Sequence, residues 1–273
     1  MNPQMSTLQD DLNRSTWSLR SSRKWLDAVG EFTDPGERAV LDLVRDSVRG
    51  KPILDLGVGT GRTVPMLAPL TDDYRAIDYL PSMVDTCRAH HPKVRVDVGD
   101  ARSLDGLPDA HYGLVNFSFN GIDAVDHEGR ARVFSEMRRV LRRGGLVAFS
   151  TLNMDGPAYR ERPWEPRAAT NCSLPRAAAR VVLGLASVPW DVARWMRIRE
   201  GTTCGDGWAV APFRAHHYGI LTHYTTRQRQ LEELANAGFD GDVVVFENER
   251  GARVLPGDDT REATWFHFVA RAC

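Results

Sequence analysis

A short glycine run and three aspartates are the residues of this chain whose types and spacing are suited to chemistry. Ile53-Leu54-Asp55-Leu56-Gly57-Val58-Gly59-Thr60-Gly61-Arg62 sets an apolar run, a carboxylate and three alternating glycines in succession. Glycines at the end of a strand let a ligand approach the backbone with no Cβ in the way. A dinucleotide fingerprint would need its third glycine where the chain has Arg62, and Asp55 would repel a pyrophosphate. The same carboxylate suits an ammonium group, so the ligand expected here is cationic. Asp78 closes the next apolar run, where a carboxylate can accept both hydroxyls of a ribose. Asp100, in Gly99-Asp100-Ala101, follows the third run and can accept from an adenine amino group. Each aspartate alone reads equally well as a cap or turn residue. Together with the glycine loop they point to a nucleoside with a cationic end, and S-adenosylmethionine fits.

The elements that must position these groups follow from the apolar periodicity. Strands are expected at Ile53–Leu56, Tyr74–Ile77, Val94–Val98, Leu114–Ser118 and Leu146–Ser150, with helices near Thr63–Leu70, Ser82–His90 and Glu128–Leu141 between them. This alternation predicts a doubly wound α/β domain whose strand ends converge on one crevice. Asp34 and Pro35 mark a preceding helix through Val48, and residues 6–31 read as helical with Trp17 and Trp25 as anchors. After Thr151 the rhythm breaks: residues 152–222 hold six prolines and four of the seven tryptophans. They read as an inserted helical lid over a substrate. The rhythm resumes with a helix from Thr226 to Ala237, capped by Thr225 and closed by Gly238, and then a hairpin of Val243–Phe246 and Trp265–Ala270. The predicted organisation is an N-terminal helical segment (1–34), a core (35–151 and 223–273) and an insertion (152–222).

Bulk properties narrow the partners. The chain has 273 residues, 42% hydrophobic and 26% charged, with a formal net charge of -1, so no basic field exists to hold nucleic acid. Cys87, Cys172, Cys204 and Cys273 are scattered without metal spacing, so neither a disulfide framework nor a metal site is expected. The polar start lacks a signal peptide, and the longest apolar run is too short to cross a bilayer. The segment Leu174–Arg199, with five arginines beside Trp190 and Trp195, is read as part of the lid rather than a membrane surface. The expectation is a cytoplasmic protein, monomer or homodimer, with a small-molecule substrate, no nucleic-acid partner and no stable membrane association.

Residues 53–151 resemble a class I S-adenosylmethionine-dependent methyltransferase, of the kind that modifies small molecules in bacteria. The resemblance rests on Leu54-Asp55-Leu56-Gly57-Val58-Gly59-Thr60-Gly61-Arg62, on Ile77-Asp78 with Met83, on Gly99-Asp100-Ala101, on Phe117-Ser118-Phe119-Asn120-Gly121 and on Val140 to Leu146. Tyr224-Thr225 and Leu231 to Phe239 extend it, so it covers about two-thirds of the chain. It implies a Rossmann-like, mostly parallel seven-stranded sheet, S-adenosylmethionine as cofactor and S-adenosylhomocysteine as product. By the same resemblance Asp55, Gly57, Gly59, Gly61 and Arg62 hold the methionine part. Asp78 binds the ribose, Tyr79 and Met83 flank the adenine, Asp100 and Ala101 read its edge, and Phe117 lies alongside. Gly113 departs from the family, which usually has an acidic residue there.

Methyl transfer is an in-line displacement at a sulfonium carbon, so the protein chiefly positions the acceptor and, where needed, removes its proton. The loop Phe119–Asp123 is expected to face the methyl group, and it lacks the Asn/Asp-Pro-Pro-aromatic signature of enzymes acting on planar nitrogens. Histidine titrates near neutrality, which makes His216, His217 and neighbouring Tyr218 the candidate bases. Asn120, Asn153, Tyr159, Trp164 and Arg214 are the candidate acceptor contacts. Each of these reads as readily as a lid-surface or bracing residue. The competing functions are an aminopropyl-type transferase or a regulatory S-adenosylmethionine-binding protein on the same fold, and an NAD-dependent oxidoreductase, which Asp55 and Arg62 disfavour.

Overall fold

The computed structural model describes residues 3–30, 32–165, 187–214, 217–239 and 241–273, with side chains from residue 8 onward. Strands β1 (Ile53–Leu56), β2 (Tyr74–Asp78), β3 (Arg95–Val98), β4 (Tyr112–Phe117) and β5 (Leu141–Asn153) run parallel in the order β3-β2-β1-β4-β5. β10 (Trp265–Arg271) pairs antiparallel with β5, and β9 (Val244–Glu247) lies antiparallel beyond it. These seven strands are the predicted mostly parallel sheet, with β10 as its one reversed member.

Period-two alternation sends neighbouring side chains to opposite faces. Leu54, Leu56, Val115 and Phe149 join Val133, Phe134 and Met137 of α6 (His127–Val140) in one core. Ile53, Ala76, Leu114 and Ala148 join Val40, Val44 and Val48 of α3 (Pro35–Val48) and Val84 and Cys87 of α5 (Pro81–His90) in the other. Asp34 caps α3 by accepting the Glu37 N–H at 2.9 Å. On α9 (Arg227–Asn236) the cap is Thr226, which accepts from the Arg229 N–H at 3.2 Å, one residue beyond the expected Thr225.

The insertion departs from the expected helical lid. Its described part holds a turn of helix, α7 (Pro157–Arg160), helical residues 187–198 and three strands: β6 (Thr203–Gly205), β7 (Trp208–Phe213) and β8 (Ile220–Thr225). β6, β7 and β8 form an antiparallel ribbon, and β8 pairs parallel with the end of β5 through Leu152–Tyr224 and Asn153–Thr225. The sheet thus forks at β5, with β10 along its length and β8 at its carboxyl end. Pro212 inside β7 disguised that strand in the sequence, since proline removes a ladder donor. No described helix is long and apolar enough to cross a membrane.

Two helices precede this frame, α1 (Pro3–Trp17) and α2 (Arg20–Val29). The Asn13 side chain bridges β8: its amide donates to the Leu221 carbonyl at 2.8 Å and its oxygen accepts the Leu221 N–H at 3.1 Å. Thr16 donates to the Gly219 carbonyl at 2.7 Å. α1 is thereby fastened across the mouth of the strand ends.

Candidate functional site

Beneath α1 and α2, at the carboxyl ends of β1 to β4, lies a cavity of about 330 Å³. Open α/β sheets bind ligands at this position. One half is built from β1, β2, β3 and the turns that follow them. The Gly57 and Gly59 backbones line it in left-handed conformations, with φ of 60° and 57°. A Cβ on Gly57 would come within 2.5 Å of the Phe117 ring, so glycine is required there for the loop to lie against β4.

Asp78 is buried at the end of β2 and lines the cavity. It accepts the Gly59 and Leu80 N–H groups, each at 2.9 Å. Burial outweighs those two donors and pushes the carboxyl up to about 6. A carboxylate in this setting gains from further hydroxyl donors. Tyr79, Met83, Asp100, Ala101 and Phe117 also line this half. Burial pushes the Asp100 carboxyl up, but hydrogen bonds from Arg102 pull it net below its ordinary range. Arg102 also reaches Asp10 of α1 at 2.6 Å, an ion pair that ties the Asp100 end of the crevice to the N-terminal helix.

Three expected cofactor residues take other places. Asp55 does not line the cavity: it is fully buried beneath the loop, accepting from Thr63, from Tyr74 at 2.7 Å and from Asn116 at 2.8 Å. Its strand parity explains this, because Asp55 shares a face with Ile53 and points to the α4 side (Val64–Leu67) of the sheet. Burial pushes the Asp55 carboxyl up, and three donors only partly offset this for a group that braces β1 to β2 and β4. Gly61 faces the His91 ring, 2.5 Å from where its Cβ would be. Arg62 turns away to form a bidentate pair with buried Glu37 at 2.7 Å and donates to Ser118 Oγ at 2.9 Å.

The other half of the cavity is walled by Trp17, Trp25, Phe119, Phe213, Ile220 and Trp265, with Asn120 among them. Of the proposed acceptor contacts only Asn120 lies here. Asn153 is buried as a brace, donating to the Thr260 and Ala263 carbonyls at 2.8 and 2.9 Å. Tyr159 packs on Tyr224, Trp164 on Trp195, and Arg214 donates to the Glu165 carbonyl. Neither described candidate base lines the cavity. His217 is turned to Asp191, 2.7 Å from Nδ1, Tyr218 is buried elsewhere, and His216 lies outside the described residues. Asp123 is also withdrawn, fully buried against Arg130 at 2.8 Å and Leu152 N–H at 2.7 Å.

Sequence reasoning missed Asp10, Asn13 and Leu26 of the N-terminal helices, Arg102, and the β8 edge Ile220–Thr222. For the helix residues the only signal was a polar stretch interrupted by Trp17 and Trp25.

Among the described residues one group has metal-ligand composition: His127, His223 and Glu233. It lies outside the cavity. The two imidazoles are coplanar within 2°, with nitrogens 3.1 Å apart and ring centres 5.4 Å apart. The rings therefore meet nitrogen to nitrogen, end on. Lone pairs aimed at each other share a proton and do not converge on an ion.

Residues 53–145 match the family model described as "Methyltransferase domain". Over 119 residues the chain is 37% identical to a malonyl-[acyl-carrier protein] O-methyltransferase of Methylococcus capsulatus, covering 41% of each protein. It is 25% identical to a demethylmenaquinone methyltransferase of Renibacterium salmoninarum, over 81% of this chain and 89% of that one. The aligned part spans about half or less of the first curated relatives. Among solved structures, DesVI of Streptomyces venezuelae superposes with a TM-score of 0.57 at 14% identity, covering 93% of this chain and 99% of that one. An amino pentose methyltransferase of Micromonospora echinaspora, solved with its cofactor, gives 0.56 at 17% identity, covering 92% and 96%. At these identities the structures share the fold.

Proposed function

We propose that this chain, which carries a class I S-adenosylmethionine-dependent methyltransferase domain, methylates a small molecule enclosed in the aromatic half of its cavity. One observation carries the reading: a single cavity runs from the glycine loop, Asp78 and Asp100 to a wall of aromatic rings. A pocket of this size, mostly apolar with few polar groups, suits a small molecule better than a macromolecule.

The residues present fit the cofactor. Asp78, held by two backbone donors and facing no cation, has lone pairs for the ribose hydroxyls. Met83 and Ala101 offer apolar faces to the adenine, and Asp100 an oxygen to its amino group. Gly57 and Gly59 allow the amino acid end to lie against the backbone. Asp55 acts from beneath, fixing the loop. When bound, S-adenosylmethionine supplies an electrophilic methyl group. The protein's part is to align the acceptor with it and keep water out. Trp25 and Phe119, 6.0 Å apart at the ring centres, pack together in the wall of the aromatic half.

Calorimetric titration with S-adenosylhomocysteine tests the cofactor half. Micromolar binding is expected, and NADH binding in its place would overturn the assignment. Transfer of a labelled methyl group from S-adenosylmethionine to components of a metabolite extract then tests the small-molecule acceptor. Label found only on protein or nucleic acid would refute it.

A further inference from the structure

The loop after β4 combines three features that nothing above accounts for. Phe119 and Asn120 are consecutive non-glycine residues in the left-handed region, with φ of 53° and 59°. Asparagine tolerates that conformation, whereas a phenylalanine there stores strain that surrounding contacts must hold. The contacts are present. The Asn120 N–H donates to Ser150 Oγ at 2.7 Å, and the Asp123 N–H to the Asn120 carbonyl at 3.0 Å. The Arg62 guanidinium lies over the Phe119 ring, 4.9 Å from its centre, while bonded to Ser118 and to Glu37. Arg62 and Glu37 are a buried pair at the junction of the glycine loop, α3 and this turn.

The third feature is what the turn presents. Asn120 Oδ1 is buried at the cavity surface and has no hydrogen-bond partner. Leaving such an acceptor unsatisfied is costly, because it has given up water without gaining a donor. The other polar side chains near it are occupied. Ser118 Oγ accepts from Arg62, the Thr222 hydroxyl donates to the Asp123 carbonyl at 3.2 Å, and Asn13 is held by Leu221. Trp265 Nε1 is directed to Asp34 at 3.2 Å. Of the described lining residues, the only other buried side-chain N or O atom without a partner is the Tyr79 hydroxyl, which follows β2 at the cofactor end.

We propose that Asn120, locked in place by the Arg62–Glu37 clamp, is the specificity-determining hydrogen-bond acceptor of the aromatic half, selecting ring-bearing molecules that present an N–H or O–H group. The inference rests on the cavity being a methyltransferase site and deepens it to a substrate class: aromatic or similarly flat compounds carrying an amine or hydroxyl. A site built to accept a hydrogen bond discriminates sharply against analogues without the donor, because its own buried oxygen is then left unpaired. Arg62 is a positioning residue in this scheme. It touches neither ligand and acts by holding the Phe119–Asn120 turn.

The test uses the full chain saturated with S-adenosylhomocysteine and two matched probe pairs: 2-naphthol against 2-methoxynaphthalene, and 2-naphthylamine against its N,N-dimethyl derivative. Binding is read by ligand-observed NMR. The donor-bearing member of each pair is expected to bind about tenfold tighter. Asn120→Ala should reduce that ratio to near one without changing the affinity for S-adenosylhomocysteine. Arg62→Lys should lower the ratio while the methylated probes bind as before, a split that general loosening of the fold would not produce. Equal binding within the pairs, preference for the methylated members, no probe binding at all, or a ratio that survives Asn120→Ala would each overturn the proposal. Failure to bind S-adenosylhomocysteine would instead strike the methyltransferase reading.

Discussion

The two halves of the cavity are built in opposite ways. The cofactor half comes from a nearly continuous stretch, β1 to the turn after β3, and its groups arrive at successive strand ends by the regularity of the fold. The aromatic half is gathered from α1, α2, the turn after β4, β7, β8 and β10, segments up to 248 residues apart from Trp17 to Trp265. In the first, backbone N–H groups and glycines do the positioning. In the second, side chains do, through Asn13, Arg62 and Ser150. A common fold can therefore keep one half while the other is free to vary with the acceptor.

This contrast predicts a ranking of effects. Arg62→Ala leaves buried Glu37 unpaired, which costs about 3–5 kcal/mol. Its melting temperature should fall on the order of 10 °C, while S-adenosylhomocysteine affinity of the protein still folded at low temperature stays nearly constant. A large loss of affinity would return Arg62 to the cofactor half. Asp78→Ala should do the reverse. Removing a carboxylate that accepts ribose hydroxyls costs roughly 2–3 kcal/mol, about a hundredfold in the calorimetric Kd. A change below threefold would remove Asp78 from the ribose.

A smaller effect follows from protonation. Ribose donors need the ionised carboxylate, and burial holds the Asp78 carboxyl up at about 6 in the free protein. Affinity for S-adenosylhomocysteine should thus be level above that value. It should fall by about tenfold per pH unit below it, and Asp78→Asn should flatten the profile. The sign is opposite for a salt-bridged carboxyl such as Asp100, held below its ordinary range, whose ionisation is unchanged across this window. The smallest effect is expected for His217→Ala. A half-exposed side chain paired to Asp191 outside the cavity should leave ligand affinity within about twofold.

Most of the parallel frame was legible because each strand-helix unit declares itself within about thirty residues, through alternation, caps and glycines. β1, β2 and α6 fall within two residues of their expected bounds. Asp55 shows where that legibility stops. The sequence placed a carboxylate at a strand end, but which face it takes depends on parity and on partners, Thr63, Tyr74 and Asn116, that only the assembled sheet brings together. Arg62 is similar: its glycine-loop position suggested a ligand, yet Glu37, twenty-five residues upstream, was the nearer anion. The histidines near position 217 were read from their titration range and from their place just before Tyr224, and no periodicity indicates whether a turn faces a crevice. Trp17 and Trp25 were visible as anchors, but the Asn13 bridge to Leu221 joins residues 208 apart and leaves no local trace.

The fork at β5 has a mechanical consequence. Because β6, β7 and β8 continue the same hydrogen-bonded sheet that carries the glycine loop, that side of the cavity is joined to the floor by a continuous backbone ladder. A ladder of backbone bonds yields only cooperatively. α1, by contrast, is held by individual side chains: Asn13 and Thr16 bond to Leu221 and Gly219 at the start of β8, and Asp10 pairs with Arg102 after β3. Of the described walls, the amino-terminal helix is therefore the one whose release would break separate side-chain bonds and no backbone ladder.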